Sequence, residues 1–148
     1  MTLLNKTTEA ASASFILTLS DLFGPPIAIK GFAPDDMFDT DAIKPTETQQ
    51  GVDGTLSGGM VLNPTVQKIH LNADSPSIAL FDAWYNAQVA SRKAYAASAI
   101  IKLPGLGKSF ICTTGWLTSY TPIPPAKKLM MPQEFEITWQ TVIPTPLP

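Results

Sequence analysis

Proline and glycine interrupt this chain every few residues and leave only one stretch free to form a long helix. The 148 residues include 14 prolines and nine glycines. Because proline lacks a backbone donor and breaks helix interiors, the pattern favours many short strands. The exception is 76–92, where no proline follows position 76 and no glycine occurs. The sequence therefore predicts a mainly β fold with one packed α-helix.

The predicted helix has a clear start signal and an apolar stripe. Asp74 and Ser75 carry oxygens that can accept from first-turn amides, and Pro76 suits the first helical position. Large side chains then recur at intervals of three and four residues, which places them on one face. We expect this face to pack on a core; it carries Ile78, Phe81, Trp84 and Tyr85.

Strands are predicted where apolar and polar residues alternate, because successive side chains point to opposite faces of a sheet. The two clearest examples place apolar residues at every second position: Phe15, Leu17, Leu19 and Phe135, Ile137, Trp139. Further strands are expected at 27–32, 66–71, 97–103 and 109–117, the last two joined by a turn at 104–107. A short extended segment is also expected between the glycines at 51–54 and those at 58–59. The three tryptophans, Trp84, Trp116 and Trp139, are expected to pack in the core.

The length suits one domain spanning 1–148, with a distinct segment at each end. Residues 1–13 are polar and are expected to form a mobile arm or an inter-subunit contact. The proline-rich tail, 144–148, is expected to leave any strand ladder, because proline cannot donate to one.

The segment 33–50 is predicted to be a long acidic loop, in which Lys44 is the only basic residue. Its acidic residues are Asp35, Asp36, Asp39, Asp41 and Glu47. Such a cluster could offer oxygen ligands to calcium, but it lacks the central glycine and terminal glutamate of an EF-hand loop. We interpret it as a structural loop.

The charge pattern indicates contact with protein. Only 15% of the residues are charged, against about 25% in typical domains, and 45% are hydrophobic. Residues 1–82 hold ten acids and four bases, whereas 83–148 hold two acids and six bases. This asymmetry favours head-to-tail packing of copies. The alternative is that both halves are ordinary solvated faces, since halves of a sequence need not be halves of a structure.

No catalytic, cofactor or metal site is predicted. The single cysteine, Cys112, excludes an internal disulfide framework and is interpreted as a small buried residue. Residues 105–109, Gly-Leu-Gly-Lys-Ser, resemble the end of a phosphate-binding loop, but Lys102 stands where that motif needs its first glycine. His70 is the only histidine and has no ligand partner in the sequence. An enzyme therefore remains a weak alternative.

Neither a membrane nor direct nucleic-acid binding is indicated. No segment approaches the roughly 20 apolar residues of a membrane span, and the amino terminus lacks the pattern of a signal peptide. We therefore expect no membrane anchoring and a cytoplasmic site of synthesis. A sequence pI near 5.2 gives no basic stripe for DNA, although an acidic channel that DNA only passes through needs none.

Three motifs in 51–88 resemble the tail tube proteins of long-tailed bacteriophages, especially those of contractile tails. They are Gly51-Val-Asp-Gly54, Ala73-Asp-Ser-Pro-Ser-Ile78 and Ala83-Trp-Tyr-Asn-Ala-Gln88. The resemblance covers roughly 12–143. It implies a tail-tube-like β-sandwich or half-barrel with one packed helix, six copies of which form a ring with a continuous inner β-barrel. Stacked rings would form a tube that delivers double-stranded DNA to the host.

The resemblance also implies partners and contact residues. Rings of self would meet the tail sheath, baseplate and tail terminator proteins in the virion tail, after assembly in the host bacterial cytoplasm. The loop 33–50 would reach the neighbouring ring, where a complementary basic surface would be formed by Lys102, Lys108, Lys127 and Lys128. Ser98 and Thr113 are candidates for the lumen. The alternatives are a secretion-system or tailocin tube protein of the same fold, and a monomeric β-sandwich binding module or hydrolase.

Overall fold

The computed structural model describes residues 13–22, 24–33 and 37–147. The predicted arm, 1–13, lies almost wholly outside these residues. The described part is mainly β, with one α-helix. In chain order the elements are β1 (Ser14–Thr18), β2 (Ile27–Ala28), β3 (Phe38–Thr40), β4 (Thr46–Gln50), β5 (Leu56–Met60), β6 (Thr65–Leu71), α1 (Ile78–Ser91), β7 (Ala97–Leu103), β8 (Lys108–Tyr120) and β9 (Gln133–Pro146).

Seven strands form one antiparallel sheet in the order β2-β1-β7-β8-β9-β6-β3, and β4 and β5 form a separate hairpin. The sheet curls into a half-barrel. Its curl brings strands from opposite edges together, because the ring of Phe38 on β3 lies 5.9 Å from that of Phe15 on β1. Phe32 contacts both rings and completes this aromatic cluster.

The core lies between the helix and the concave side of the sheet. Phe81 of α1 stacks on Phe135 of β9, with ring centroids 4.4 Å apart. Trp84 is fully buried, and its indole Nε1 donates to the Tyr95 carbonyl at 3.2 Å. The predicted alternation is confirmed, because the apolar positions of both clear strands are buried: Phe15, Leu17, Leu19, Phe135, Ile137 and Trp139.

Two predicted core residues lie elsewhere. Tyr85 is 41% exposed because it sits at the margin of the helical stripe, where its ring stacks on Tyr120. Trp116 is also 41% exposed, since it faces away from the core on β8. Ile78, Phe81 and Trp84 pack in or against the core as predicted.

The helix begins two residues later than predicted, because the serines before it bind another segment. Ser75 Oγ donates to the Lys30 carbonyl, and Ser77 Oγ accepts from the Lys30 amide at 2.7 Å. Ser77 is the N-cap but makes no side-chain capping bond to the helix. The start signal therefore marks a turn that attaches α1 to the segment following β2.

The predicted strand 27–32 is shorter than expected. Only β2 is regular, and the chain then turns at Gly31, whose φ of +74° is readily available to glycine. A side chain at Gly31 would collide with Ser75. Phe32 makes a single bridge to Leu71 instead of continuing the strand.

The prediction of one long loop at 33–50 is wrong for much of its length. Residues 38–40 form β3, because Phe38 packs into the aromatic cluster while its strand pairs with β6. Residues 46–50 form β4. The turn between β4 and β5 is held by Asp53, whose carboxylate accepts from the Thr55 amide at 3.0 Å, and by Gly54 at φ +87°.

The proline-rich tail stays in the sheet, contrary to expectation. Pro144 and Pro146 pair with Phe110 and Lys108 of β8. The ladder to β6 ends at Trp139, so among the described residues this half of β9 has a strand on one side only. The Leu147 amide donates to Gly107, so by alternation the two proline nitrogens point to the open side. Proline is tolerated at such an edge because no donor is needed there.

We predict that β8 and β9 need a residue without a side chain at Gly115, which pairs with Trp139. A Cβ at this position would lie 2.4 Å from ring carbons of Trp139 and 2.9 Å from Cγ2 of Ile137. We expect Gly115→Ala to lower the free energy of unfolding by about 1–3 kcal/mol, measured by urea denaturation. Gly59→Ala on β5 is the matched control, since a Cβ added there would meet no neighbouring atom within 4 Å. Equal urea midpoints for the two variants would contradict this packing.

Candidate assembly surfaces

The β4–β5 hairpin stands away from the body of the molecule. Every residue of both strands is exposed, and their register runs from Thr46↔Met60 to Gln50↔Leu56. The hairpin and the residue that follows its base expose large apolar side chains at Val52, Leu56, Met60 and Leu62. An isolated two-stranded hairpin is only marginally stable in water, and exposed apolar patches mark contact sites. This hairpin is therefore a candidate contact element.

A second exposed apolar patch lies in the segment between β8 and β9, residues 121–132, which we call the connector loop. It is ordered by backbone bonds, including one from the Met131 amide to the Pro125 carbonyl at 2.7 Å. The Gln133 side chain also donates to the Thr121 carbonyl at 2.8 Å. Four large apolar side chains of the loop are exposed: Ile123, Leu129, Met130 and Met131.

The hairpin and the connector loop lie at opposite ends of the sheet. The chain leaves the hairpin and enters β6 at Thr65, which pairs with Trp139. At the other end of the same ladder Leu71 pairs with Gln133, the first residue after the connector loop. Thr65 and Leu71 are six residues apart, which corresponds to about 20 Å along a strand. The molecule therefore has two different apolar ends.

The predicted acidic residues that the structure describes lie on different elements. Asp39 lies on β3 directly opposite Lys68 of β6, so its nearest cross-strand neighbour is a base of the same molecule. Asp41 follows β3, and its amide donates to the Val66 carbonyl at 2.9 Å. Glu47 lies on the hairpin. Asp35 and Asp36 fall outside the described residues.

The predicted basic residues belong to two separate places. Lys127 and Lys128 lie in the connector loop. Lys102 and Lys108 flank the turn between β7 and β8, where Lys108 pairs with Pro146 at the far end of β9. This turn is at the same end of the sheet as the hairpin. The four lysines therefore cannot form one complementary surface within a subunit.

The convex face of the sheet carries the first lumen candidate. Ser98 lies on β7 with Ile100 and Lys102, and these exposed residues alternate with buried Ala97, Ala99 and Ile101. Cross-strand pairing aligns an apolar row on this face: Ile16, Ile100, Ile111 and Ile143. Ser98 was predicted to face the lumen, and Lys102 was predicted to contact the neighbouring ring. Because both residues lie on one face of β7, the two predictions cannot both hold for that face.

Thr113, the second lumen candidate, is half-buried on β8. It pairs with Thr141 of β9, and the two hydroxyl groups are hydrogen-bonded to each other. A hydroxyl engaged in this way contributes less to an aqueous surface than an exposed one does. Sequence alternation alone could not reveal this partner.

A partly open pocket lies between β3 and the strands β7, β8 and β9. This pocket of about 320 Å³ is lined mainly by apolar side chains, and Asp39 and Cys112 are its ionisable lining groups.

Among the described residues no group of three histidine, cysteine or acidic side chains could hold a metal ion. His70 lies beside Glu134, with Nε2 3.4 Å from Oε2. Residues 104–107 form the predicted turn, as a short 3₁₀ segment ending at Gly107.

Tyr120 fixes the helix to the end of β8. Its hydroxyl donates to the Asp82 carboxylate, and its ring stacks on Tyr85 at 4.5 Å. Desolvation, followed by the hydrogen bond and charge of Asp82, raises the pKa of Tyr120 to about 12. This contact holds α1 in place close to the connector loop, which begins at the next residue.

In the described part of the chain, no helix is both long and apolar enough to cross a bilayer.

The burial of the Cys112 thiol predicts that the folded protein loses stability at alkaline pH. The thiol is 1% exposed, and burial raises its pKa from 9.0 to about 11. The unfolded chain therefore loses this proton first, so the stabilisation present below pH 9 falls as the pH rises towards 11. We expect this group to account for a decrease of about 2 kcal/mol at most. Urea unfolding at pH 8.5 and pH 11 should show a smaller decrease for Cys112→Ala; an equal decrease would contradict the assignment.

Comparison with known proteins gives a family and several structural neighbours. Residues 7–143 match the family model described as tail fiber protein gp32. Comparison with curated proteins found no match. The fold is similar to a chain in the cryo-EM structure of the anti-feeding prophage cap, the AFP tube terminating cap. That chain is 14% identical, with a TM-score of 0.57 and coverage of 99% of this chain and 94% of the other.

Two further structures share the fold at similar levels. A chain of the anti-feeding prophage baseplate is 13% identical with a TM-score of 0.55, covering 95% of this chain and 98% of that one. A chain of the PVC sheath-tube complex, from an extracellular contractile injection system, is 16% identical with a TM-score of 0.51. The coverage there is 90% of this chain and 88% of the other. At these identities the likeness establishes the fold.

Proposed function

This chain belongs to the family of tail fiber protein gp32, and we propose that it is the subunit of a tail tube. In this proposal six copies form a ring, rings stack into a tube, and double-stranded DNA passes through the bore. The observation that carries it is the pair of exposed apolar ends, the hairpin and the connector loop, at opposite ends of one sheet. Different surfaces at opposite ends favour repeated head-to-tail contact.

Ring formation is supported by the backbone groups that the sheet leaves open. The outermost strands are short, since β2 has two residues and β3 has three. In the part of the chain that the structure describes, the second half of β9 has no neighbour on the β6 side. Pairing with adjacent copies would satisfy such groups and join the sheets of neighbouring copies around a shared bore. The two prolines on β9 limit how many bonds that edge can donate.

The bore is assigned to the convex face that carries Ser98. Along β1, β7 and β8 this face presents hydroxyl groups and isoleucines, with Lys102 as its charged group. This part of the face has little charge and would interact weakly with a passing phosphate backbone, whereas β9 and β6 carry Glu136 and Lys68 farther along the same face. This assignment makes Lys102 a bore residue and removes it from the predicted stacking surface.

The tube assignment implies further partners and a location. The tube would contact sheath, baseplate and terminator proteins in the virion tail and would be assembled in the host cytoplasm. Neither catalysis nor a cofactor is part of the proposal. A tube subunit of an extracellular contractile injection system is the second candidate, because chains of the anti-feeding prophage and of PVC share the fold.

Direct observation of assembly tests this proposal. We expect the purified chain to form hollow tubes or stacked rings as its concentration rises, seen by negative-stain electron microscopy and by sedimentation mass. The apolar ends provide the driving force, so the mass should increase with concentration.

Two outcomes would contradict the tube assignment. A monomer at every concentration, even with tail initiator proteins present, would favour a monomeric binding module. Single rings that never stack would favour a terminating role, such as that of the anti-feeding prophage cap.

A further inference from the structure

We propose that the connector loop of one subunit is the receptor for the β4–β5 hairpin of the next copy along the tube. The inference rests on the proposed function, because it requires copies to stack end to end. It identifies both halves of the stacking contact. The basic half was predicted to consist of four lysines, which the fold places at two separate sites.

The two surfaces match in apolar character. The hairpin presents Leu56 and Met60 on β5, 65% and 78% exposed. The connector loop presents Leu129 and Met130, 79% and 63% exposed. Methionine side chains are unbranched and adapt to irregular partners. Burying such side chains against one another removes apolar area from water on both subunits.

Their charges are complementary. Residues 46–60 contain two acids, Glu47 and Asp53, and no base, whereas residues 121–132 contain two bases, Lys127 and Lys128, and no acid. Hydrogen bonds from the Thr55 amide and hydroxyl hold the Asp53 carboxylate in place and lower its pKa. Paired charges around an apolar contact select the partner and its orientation.

The geometry favours the connector loop over the other lysine pair. When copies stack along the direction of β6 and β9, the hairpin end of one subunit faces the connector end of the next. Lys102 and Lys108 lie at the hairpin end, so the same translation would carry them away from the next hairpin. The contact is heterologous and leaves a free hairpin at one end of the stack and a free loop at the other, so it propagates.

A charge exchange between Glu47 and Lys128 tests the contact. We expect Glu47→Lys and Lys128→Glu each to raise the concentration needed for assembly by about tenfold or more, because like charges then face each other. Both positions are exposed, so the folded subunit should be unaffected. The double variant Glu47→Lys/Lys128→Glu should regain assembly. Its matched control is Glu47→Lys/Lys93→Glu, which has the same net charge but reverses an exposed lysine beyond the helix and should not regain it.

Covalent trapping provides an independent measurement. In a Cys112→Ala background, Glu47→Cys with Lys128→Cys should give a ladder of disulfide-linked oligomers after mild oxidation, visible on a non-reducing gel. Each single-cysteine variant should give dimers at most. A disulfide requires Cα atoms within about 7 Å, so the ladder reports proximity.

The outcomes separate this inference from the proposed function. If the native chain forms tubes while the single charge variants assemble normally and no ladder forms, the connector loop is not the receptor and the tube assignment stands. If the native chain never assembles, both fall. Rescue by the double variant together with the ladder supports both.

Discussion

The stacking of Phe81 on Phe135 is the contact on which the arrangement of this molecule depends. The two rings lie 4.4 Å apart and nearly parallel, and they join the helix to β9. β9 is the strand that pairs with β8 on one side and β6 on the other, so it connects the two halves of the curled sheet. Gln133, the first residue of β9, follows the connector loop, and Trp139 pairs with Thr65, where the chain that leaves the hairpin enters β6. The contact therefore fixes the helix to the strand that connects both ends of the molecule.

The core of this small domain does not bury all of its large apolar side chains. The described core takes up the helix stripe and the concave face of the sheet, yet large apolar side chains remain exposed in the hairpin and in the connector loop. Such side chains in two separate patches at opposite ends would be a liability for a monomer. For a subunit that stacks, they provide the driving force, and the few charges around them provide direction.

The sequence predicted those features that depend on local periodicity. The alternation around Phe15 and Trp139 located buried strands, and the spacing of Phe81 and Trp84 located the buried face of the helix. It missed β4, because Thr-Glu-Thr-Gln-Gln shows no buried alternation, whereas the glycines on either side indicated an extended segment where β5 lies. The hairpin is instead specified by the turn at Asp53 and by strand pairing.

Long-range register could not be obtained from the sequence. The prolines of β9 were expected to end pairing, but they remain because one side of the strand is open. The separation of Lys127 and Lys128 from Lys102 and Lys108 likewise depends on how β8 and β9 pair. Composition could indicate that one surface is acidic and another basic, but the placement of these surfaces at opposite ends follows from the fold.

Hydrogen–deuterium exchange, compared between the free subunit and the assembled particle, would show whether the hairpin and the connector loop meet in the assembly. We expect the amides of the β4–β5 hairpin and of the connector loop to become protected together on assembly, while those of α1 exchange as before. Protection of β-sheet edges alone, with the hairpin and connector loop exchanging equally in both states, would contradict this expectation.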